Sequence, residues 1–301
     1  MPRHNATTTA IITALAANLG IAVTKTAIAA WSGSGSMLAE AIHSFADCGN
    51  QLLLFTGLKR SARIATAKHP MGFGRESYVW AMMVAITLFT VGGLFSIHEG
   101  WLRYKQPQAV NDAEIALIIL LVAVVFEAIS LRGALKAMKA ERGDRNLWRW
   151  FRDTHSSELM VVVGEDIAAI LGLMIAAAML GLTLLTGNPI YDAAGSILIG
   201  ALLIVIALLI AREIHALLLG EADAAIRDGV RQFLEQQPCV LRTLNVWAIN
   251  HGTDVMVAIK AELLPDLTVS QAVNVINALE KQIKISHTRV KWVFFEIDNS
   301  D

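Results

Sequence analysis

Charge is what this chain has least of. Only 17% of its 301 residues are Asp, Glu, Lys or Arg, where a typical soluble domain carries about a quarter. With 55% hydrophobic residues and a mean hydropathy of +0.52, the shortage argues against a soluble globular protein and for an integral membrane protein. A formal net charge of −1 argues against a nucleic-acid binder that works by neutralising phosphates. Cysteine is nearly missing: Cys48 and Cys239 make neither a disulfide framework nor a paired C-x-x-C metal knuckle. No catalytic triad, phosphate loop or nucleotide-binding pattern is present, the bare G-x-G at Gly72 and Gly74 being too weak a signal, so the chain does not read as an enzyme. The opening "MPRHNATTT" is too short and polar for a cleaved signal or an Arg-rich transit peptide. A prokaryotic plasma membrane is the expectation from that.

What is present is a set of six apolar stretches, each near the length of about 20 residues that a spanning helix needs. They cover residues 8–31, 37–58, 78–101, 113–138, 159–185 and 190–211. Lys and Arg collect on the cytoplasmic side of a membrane. Here Arg3 precedes the first stretch, and Lys59, Arg60, Arg63, Lys68 and Arg75 lie between the second and third. Lys136, Lys139, Arg142, Arg145, Arg149 and Arg152 surround the fourth-to-fifth connection, while "WSGSGS" and "TLLTGNPIY" on the opposite side carry no charge. Both termini are therefore expected in the cytoplasm, with Arg103 and Lys105 running against the pattern. "NLWRWFRDTH" sets Trp148, Trp150 and Phe151 among arginines; it reads as an anchor at headgroup level, the alternative being a solvated linker.

Beyond Ala211 the pattern becomes that of a soluble domain. Ile226, Val230, Phe233 and Leu234 are spaced for a helix, and Val255, Val257, Ile259, Ala261 and Leu263 alternate with Met256, Ala258, Lys260 and Glu262 as in a half-buried strand. "NHGTD" supplies a turn between that strand and a partner over residues 241–249. Thr268 can cap a helix with apolar positions Val269, Ala272, Val273, Ile276, Leu279 and Ile283, and residues 290–297 make a last strand. The expected fold is an all-α bundle of six transmembrane helices over residues 1–213, followed by a small αββαβ cytosolic α+β domain over residues 214–301.

The second apolar stretch, "SMLAEAIHSFADCGNQLLL", is unusual because it carries Glu40, His43, Asp47 and Asn50. A charged group at the bilayer centre costs at least about 2.5–3.5 kcal/mol. Spacings of three, four and three residues put all four on one stripe of a helix, so they point together into protein. His43 and Asp47, one turn apart, can offer a nitrogen and an oxygen to one ion, donors that zinc accepts at about 2.0–2.2 Å. A second helix must complete such a site, and "VVVGEDIAAILG" offers Glu165 and Asp166. Neighbours on a helix diverge by about 100°, so one is expected as a ligand and the other as a supporting or water-path group. The competing reading is a buried hydrogen-bond network that pins the helices together.

These residues resemble the cation diffusion facilitator family of divalent-metal/proton antiporters, most of all the branch with the mitochondrial zinc transporter of animals. The likeness rests on "GSGSMLAEAIHSFADCGNQLLL", "HPMGFGRESYVWAMMVA", "EDIAAILGLMIA", "YDAAGSILIGALL" and "LLLGEAD". It implies six transmembrane helices, a homodimer, a metallochaperone-like cytosolic fold, and no prosthetic group beyond the transported metal. The family's site pairs H/D-x-x-x-D on the second helix with H-x-x-x-D on the fifth. His43 and Asp47 match the first pair. With Gly172 on the family's glycine, Asp166 matches the last aspartate, and Val162 stands where the histidine belongs. Glu165 is the nearest candidate for a fourth donor. One nitrogen fewer makes the site harder, which favours manganese, iron or cobalt more than in a two-histidine zinc site. The loop site of many members is expected to be missing: His69 matches, but Thr66 and Phe73 replace its other ligands. His251, His287, Glu296 and Asp298 are candidates for a cytosolic metal site, against ordinary turn and strand-edge roles. Asp192 matches a family aspartate and reads either as a pathway residue or as a helix cap. Glu127 is a lone acid in the fourth stretch, and Lys25 is read as its partner or as a snorkelling side chain.

The resulting expectation is efflux of a divalent cation, zinc first, in exchange for protons by alternating access, with the bilayer, metal and protons as partners and no nucleic acid. The alternatives are a manganese, iron or cobalt transporter of the same family, or a membrane-bound metal sensor or scaffold that transports nothing.

Overall fold

The computed structural model describes residues 18–142, 146–147, 150–151, 154 and 156–300. The first half of the first apolar stretch lies outside them, as do Arg3, Arg145, Trp148, Arg149 and Arg152. Six long helices are described: α1 over residues 18–32, α2 (Gly35–Ser61), α3 (Glu76–Lys105), α4 (Ala113–Arg142), α5 (Ser157–Thr186) and α6 (Ile190–Leu219). Then come α7 (Ala224–Glu235), β1 (Val240–His251), β2 (Asp254–Leu263), α8 (Val269–Ser286) and β3 (Val290–Ile297). Among the described residues four helices, α3 to α6, are long and apolar enough to cross a membrane. The chain divides into two compact units, one holding Val79–Ile214 and the chain up to Lys59, the other Arg60–Tyr78 and His215–Asp301.

In the helical unit, α3 and α6 approach through small residues. A methyl on Gly200 would lie 2.6 Å from the Gly93 carbonyl oxygen, and one on Gly100 would lie 2.9 Å from that of Ala193. Lipid tails are as apolar as leucine, so close backbone packing rather than water exclusion drives such contacts. Gly92 and Gly93 fall in a π-helical segment, Leu88–Leu94, that interrupts α3 at this seam.

The charged residues at the end of the bundle formed by the α1–α2 and α5–α6 connections are used internally. Asp192, in the first turn of α6, is buried and accepts from the Gly35 amide at 2.5 Å, the Ser34 hydroxyl at 2.6 Å and the Ser36 hydroxyl. It caps a helix, but that helix is α2 and not its own. A carboxylate there meets the unpaired amides and positive dipole end of α2. Arg103 donates to Glu99 at 2.9 Å and to the Gly33 carbonyl just past α1, so the charge that runs against the loop pattern is satisfied within the protein.

Trp150 corrects the expectation of a headgroup anchor. Its ring is fully buried in a cluster with Ala134, Met138 and Val163, flanked by Phe151. An indole among arginines looks interfacial in sequence, yet here α4 and α5 enclose it.

The second unit has the expected helix-strand-strand-helix-strand order. β1 and β2 pair antiparallel and β3 adds parallel to β2, giving a three-stranded sheet in the order β1-β2-β3. The inward residues of β2, Val255, Val257, Ile259, Ala261 and Leu263, are all buried, and the first four pack with Ile226, Val230 and Leu234 of α7 and Leu279 and Ile283 of α8. α8 starts at a reciprocal cap between Thr268 and Gln271, which satisfies two otherwise unpaired donors.

His251 faces Asp254 across a two-residue turn, and Gly252 there has φ +71°, as such turns require. Tyr78, fully buried, grips this turn. Its hydroxyl donates to the Gly252 carbonyl and accepts from the Gly252 amide, both at 3.1 Å. A side chain on Gly252 would be strained and would also meet the Gly74 carbonyl oxygen at 2.5 Å. Gly252→Ala is therefore expected to destabilise this unit by at least about 1–2 kcal/mol, the ordinary left-handed penalty. Thermal unfolding of the purified chain measures this.

Candidate metal centre

α2 carries its polar stripe inward as the spacing predicts: Glu40, His43 and Asn50 are buried, and the Asp47 side chain is 18% exposed. His43 Nδ1 lies 3.5 Å from Asp47 Oδ1, too poorly aimed for a hydrogen bond. Among the described residues, both ring nitrogens and that oxygen lack a hydrogen-bond partner. Buried polar atoms are nearly always paired, so an imidazole left unpaired on both sides is an unusual expense in a helix bundle.

α5 brings the second half. Gly172 lets its backbone pass the Glu40 carboxylate, because a methyl there would meet Glu40 Oε1 at 2.5 Å. The adjacent acids diverge, as their angular offset requires. Glu165, buried, accepts from Asn50 Nδ2 of α2 at 2.6 Å. Asp166 accepts from the Ser130 hydroxyl of α4 at 3.3 Å. Asp47, Glu165 and Asp166 nevertheless line one cavity of about 40 Å³, together with Val162 of α5 and Glu127 and Ser130 of α4. That exceeds the roughly 10–15 Å³ needed by one water, so a partly hydrated ion fits. His43 stands behind Asp47 and does not line the cavity. Among the described residues no three His, Cys, Asp or Glu side chains converge tightly enough to chelate a metal; the structure gathers three of the four expected donors around one space without drawing them onto one point.

Lys25 is neither the partner of Glu127 nor a snorkelling side chain. Its ammonium is buried, 3.4 Å from Glu40 Oε2 and 2.8 Å from the Ser44 hydroxyl. α1 turns this lysine toward the stripe on α2, where Glu40 needs a counter-charge. Sequence spacing names the acids on α2 but not the helix that faces them.

The other candidates are scattered. His69 is exposed, with its ring 4.6 Å from that of Phe73. His251 meets Trp292 edge-on at 5.5 Å, and burial, followed by the nearby Arg75, pushes its imidazole below the usual value. His287 ends α8. Asp298 pairs with Lys260 at 3.0 Å, which holds its carboxyl below the usual range. Glu296 lies near the end of β3.

The family pattern of the cation efflux transmembrane domain matches residues 11–219. The chain belongs to the cation diffusion facilitator family. Similar proteins include the mitochondrial proton-coupled zinc antiporter SLC30A9 of Xenopus laevis, 34% identical over 77% of this chain and 42% of its own length. The human protein of the same name is 33% identical over 77% of this chain and 41% of its own. Metal tolerance protein C4 of Arabidopsis thaliana is 34% identical over 77% and 51%. The chain thus spans about half or less of these relatives' length. They also correct the expectation of a prokaryotic plasma membrane, since these family members are eukaryotic and two are mitochondrial by name. A short polar opening carries no information on the compartment when the relatives extend well beyond the matched region.

Removing one member of a buried ion pair costs about 3–5 kcal/mol because the other charge is left uncompensated. Lys25→Met is expected to lower stability by that order. Lys25→Met combined with Glu40→Gln should recover most of it, as read from thermal unfolding in detergent.

Proposed function

We propose that this facilitator moves a divalent cation, zinc first, across its membrane in exchange for protons, with His43, Asp47, Asp166 and Glu165 as the residues that handle the ion. The observation that carries this reading is the cavity where Asp47 of α2 and Glu165 and Asp166 of α5 meet inside an apolar bundle. Several carboxylates gathered in such surroundings are tolerated when cations or protons neutralise them. One divalent ion balances two negative charges, and protons balance the rest. His43, one turn before Asp47 on α2, adds an imidazole nitrogen to these donors.

The identity of about a third with proteins named proton-coupled zinc antiporters supports zinc and protons. Val162 in place of a second imidazole favours a harder ion, so manganese, iron and cobalt rank next. In this reading α1 and α2 join α3 to α6 as six spans with both termini in the cytoplasm. The membrane domain runs over residues 1–213, residues 214–301 form the cytosolic domain, and the protein works as a homodimer. The ion passes from the cytoplasmic side to the other as the bundle rocks.

The test is metal uptake into proteoliposomes under an imposed pH gradient. Asp47→Ala is expected to abolish it, and wild-type flux in that variant would remove the site assignment. Binding measured with zinc alone should weaken as pH falls, because protons compete for the same donors.

A further inference from the structure

Position 162 is where the family's fifth helix places a histidine, and here Val162 faces the cavity. The missing donor therefore leaves an apolar spot on the wall itself. Glu127 of α4 lines the same space. We propose that Glu127 is a ligand of the transported divalent cation and supplies, from α4, the donor that Val162 lacks. This rests on reading the cavity as the transport site.

Glu127 and Ser130 are three residues apart and share a face of α4. Ser130 donates to Asp166, so α4 is held in register against α5 at that acid, with Glu127 one turn away on the same wall. Elsewhere on this stretch α4 exposes Leu121, Val122, Val125, Phe126 and Ile129, and Glu127 is its one acid between Glu114 and Glu141. Among the described residues, Lys25 is engaged by Glu40 and Ser44 and not by Glu127. A second observation points to a ligand: Asp47, which lines the cavity, has a buried Oδ1 with no hydrogen-bond partner among the described residues, and His43 beside it, 1% exposed, has both ring nitrogens unpaired there. The donor set becomes one imidazole and three carboxylates, from Asp47, Asp166 and Glu127, while Asn50 holds Glu165 at 2.6 Å. Replacing a nitrogen by a carboxylate oxygen shifts preference from zinc toward manganese and iron, so Glu127 sets specificity as well as affinity.

The experiment compares uptake of zinc and of manganese into proteoliposomes by the full chain, Glu127→Gln, Glu127→Asp, Val162→His and the pair Glu127→Gln/Val162→His, with Asp47→Ala alongside. Glu127→Gln is expected to weaken the apparent affinity for both ions by more than about tenfold, the loss that even an outer partner of a metal ligand produces. Glu127→Asp should keep part of it. Adding Val162→His to Glu127→Gln should restore zinc but not manganese, an exchange that a merely structural glutamate would not give. Wild-type affinities in Glu127→Gln, with Asp47→Ala inactive, would overturn the proposal while leaving the site reading intact. A loss in Glu127→Gln that neither Asp at 127 nor His at 162 repairs would also overturn it. Undiminished uptake by Asp47→Ala would remove the site reading and this inference together.

Discussion

A charge inside a helix bundle must find its opposite within a few ångströms, because no water is there to screen it. Most of the polar chemistry in the membrane unit follows from that. Lys25 and Glu40 settle it between themselves, both fully enclosed, with Ser44 as a further acceptor for the ammonium. Asp192 settles it against the amide end of α2, and Arg103 against Glu99 and the chain leaving α1. Asp47, Glu127, Glu165 and Asp166 line one cavity, and among the described residues Glu165 and Asp166 accept from the neutral Asn50 and Ser130. The distinction separates acids paired with a cation or a helix end from acids gathered around one space.

The stripe on α2 was legible in the sequence, because three- and four-residue spacing states which side chains share a face. So were the strands of the second unit, where a period of two predicted the buried set of β2, and the cap at Thr268. What periodicity cannot state is which neighbour a face meets. The sequence offers Lys25 to Glu127 or to an interface because its partner lies on another helix, and the pairing with Glu40 depends on how α1 and α2 lie together. Asp192 as a cap on a distant helix, Tyr78 on the turn at Gly252, and the burial of Trp150 share this origin. Each is a contact between different elements, which the local pattern of one element does not state.

The divergence of Glu165 and Asp166 shows both sides of this. Their adjacency says that a helix sends them in different directions, but not where. The structure aims Glu165 at α2 and Asp166 at α4, which makes α5 a partner to two helices at the same level. It also brings α4 to the wall of the same cavity.

One contact has a mechanical corollary. Because Asp192 of α6 accepts from the Gly35 amide at 2.5 Å and the Ser34 hydroxyl at 2.6 Å, the start of α2 is tied to α6, while the stretch bearing His43 and Asp47 begins two turns farther along. Parting α2 from α6 at this end therefore strands a carboxylate in the protein interior, a penalty that keeps the seam shut.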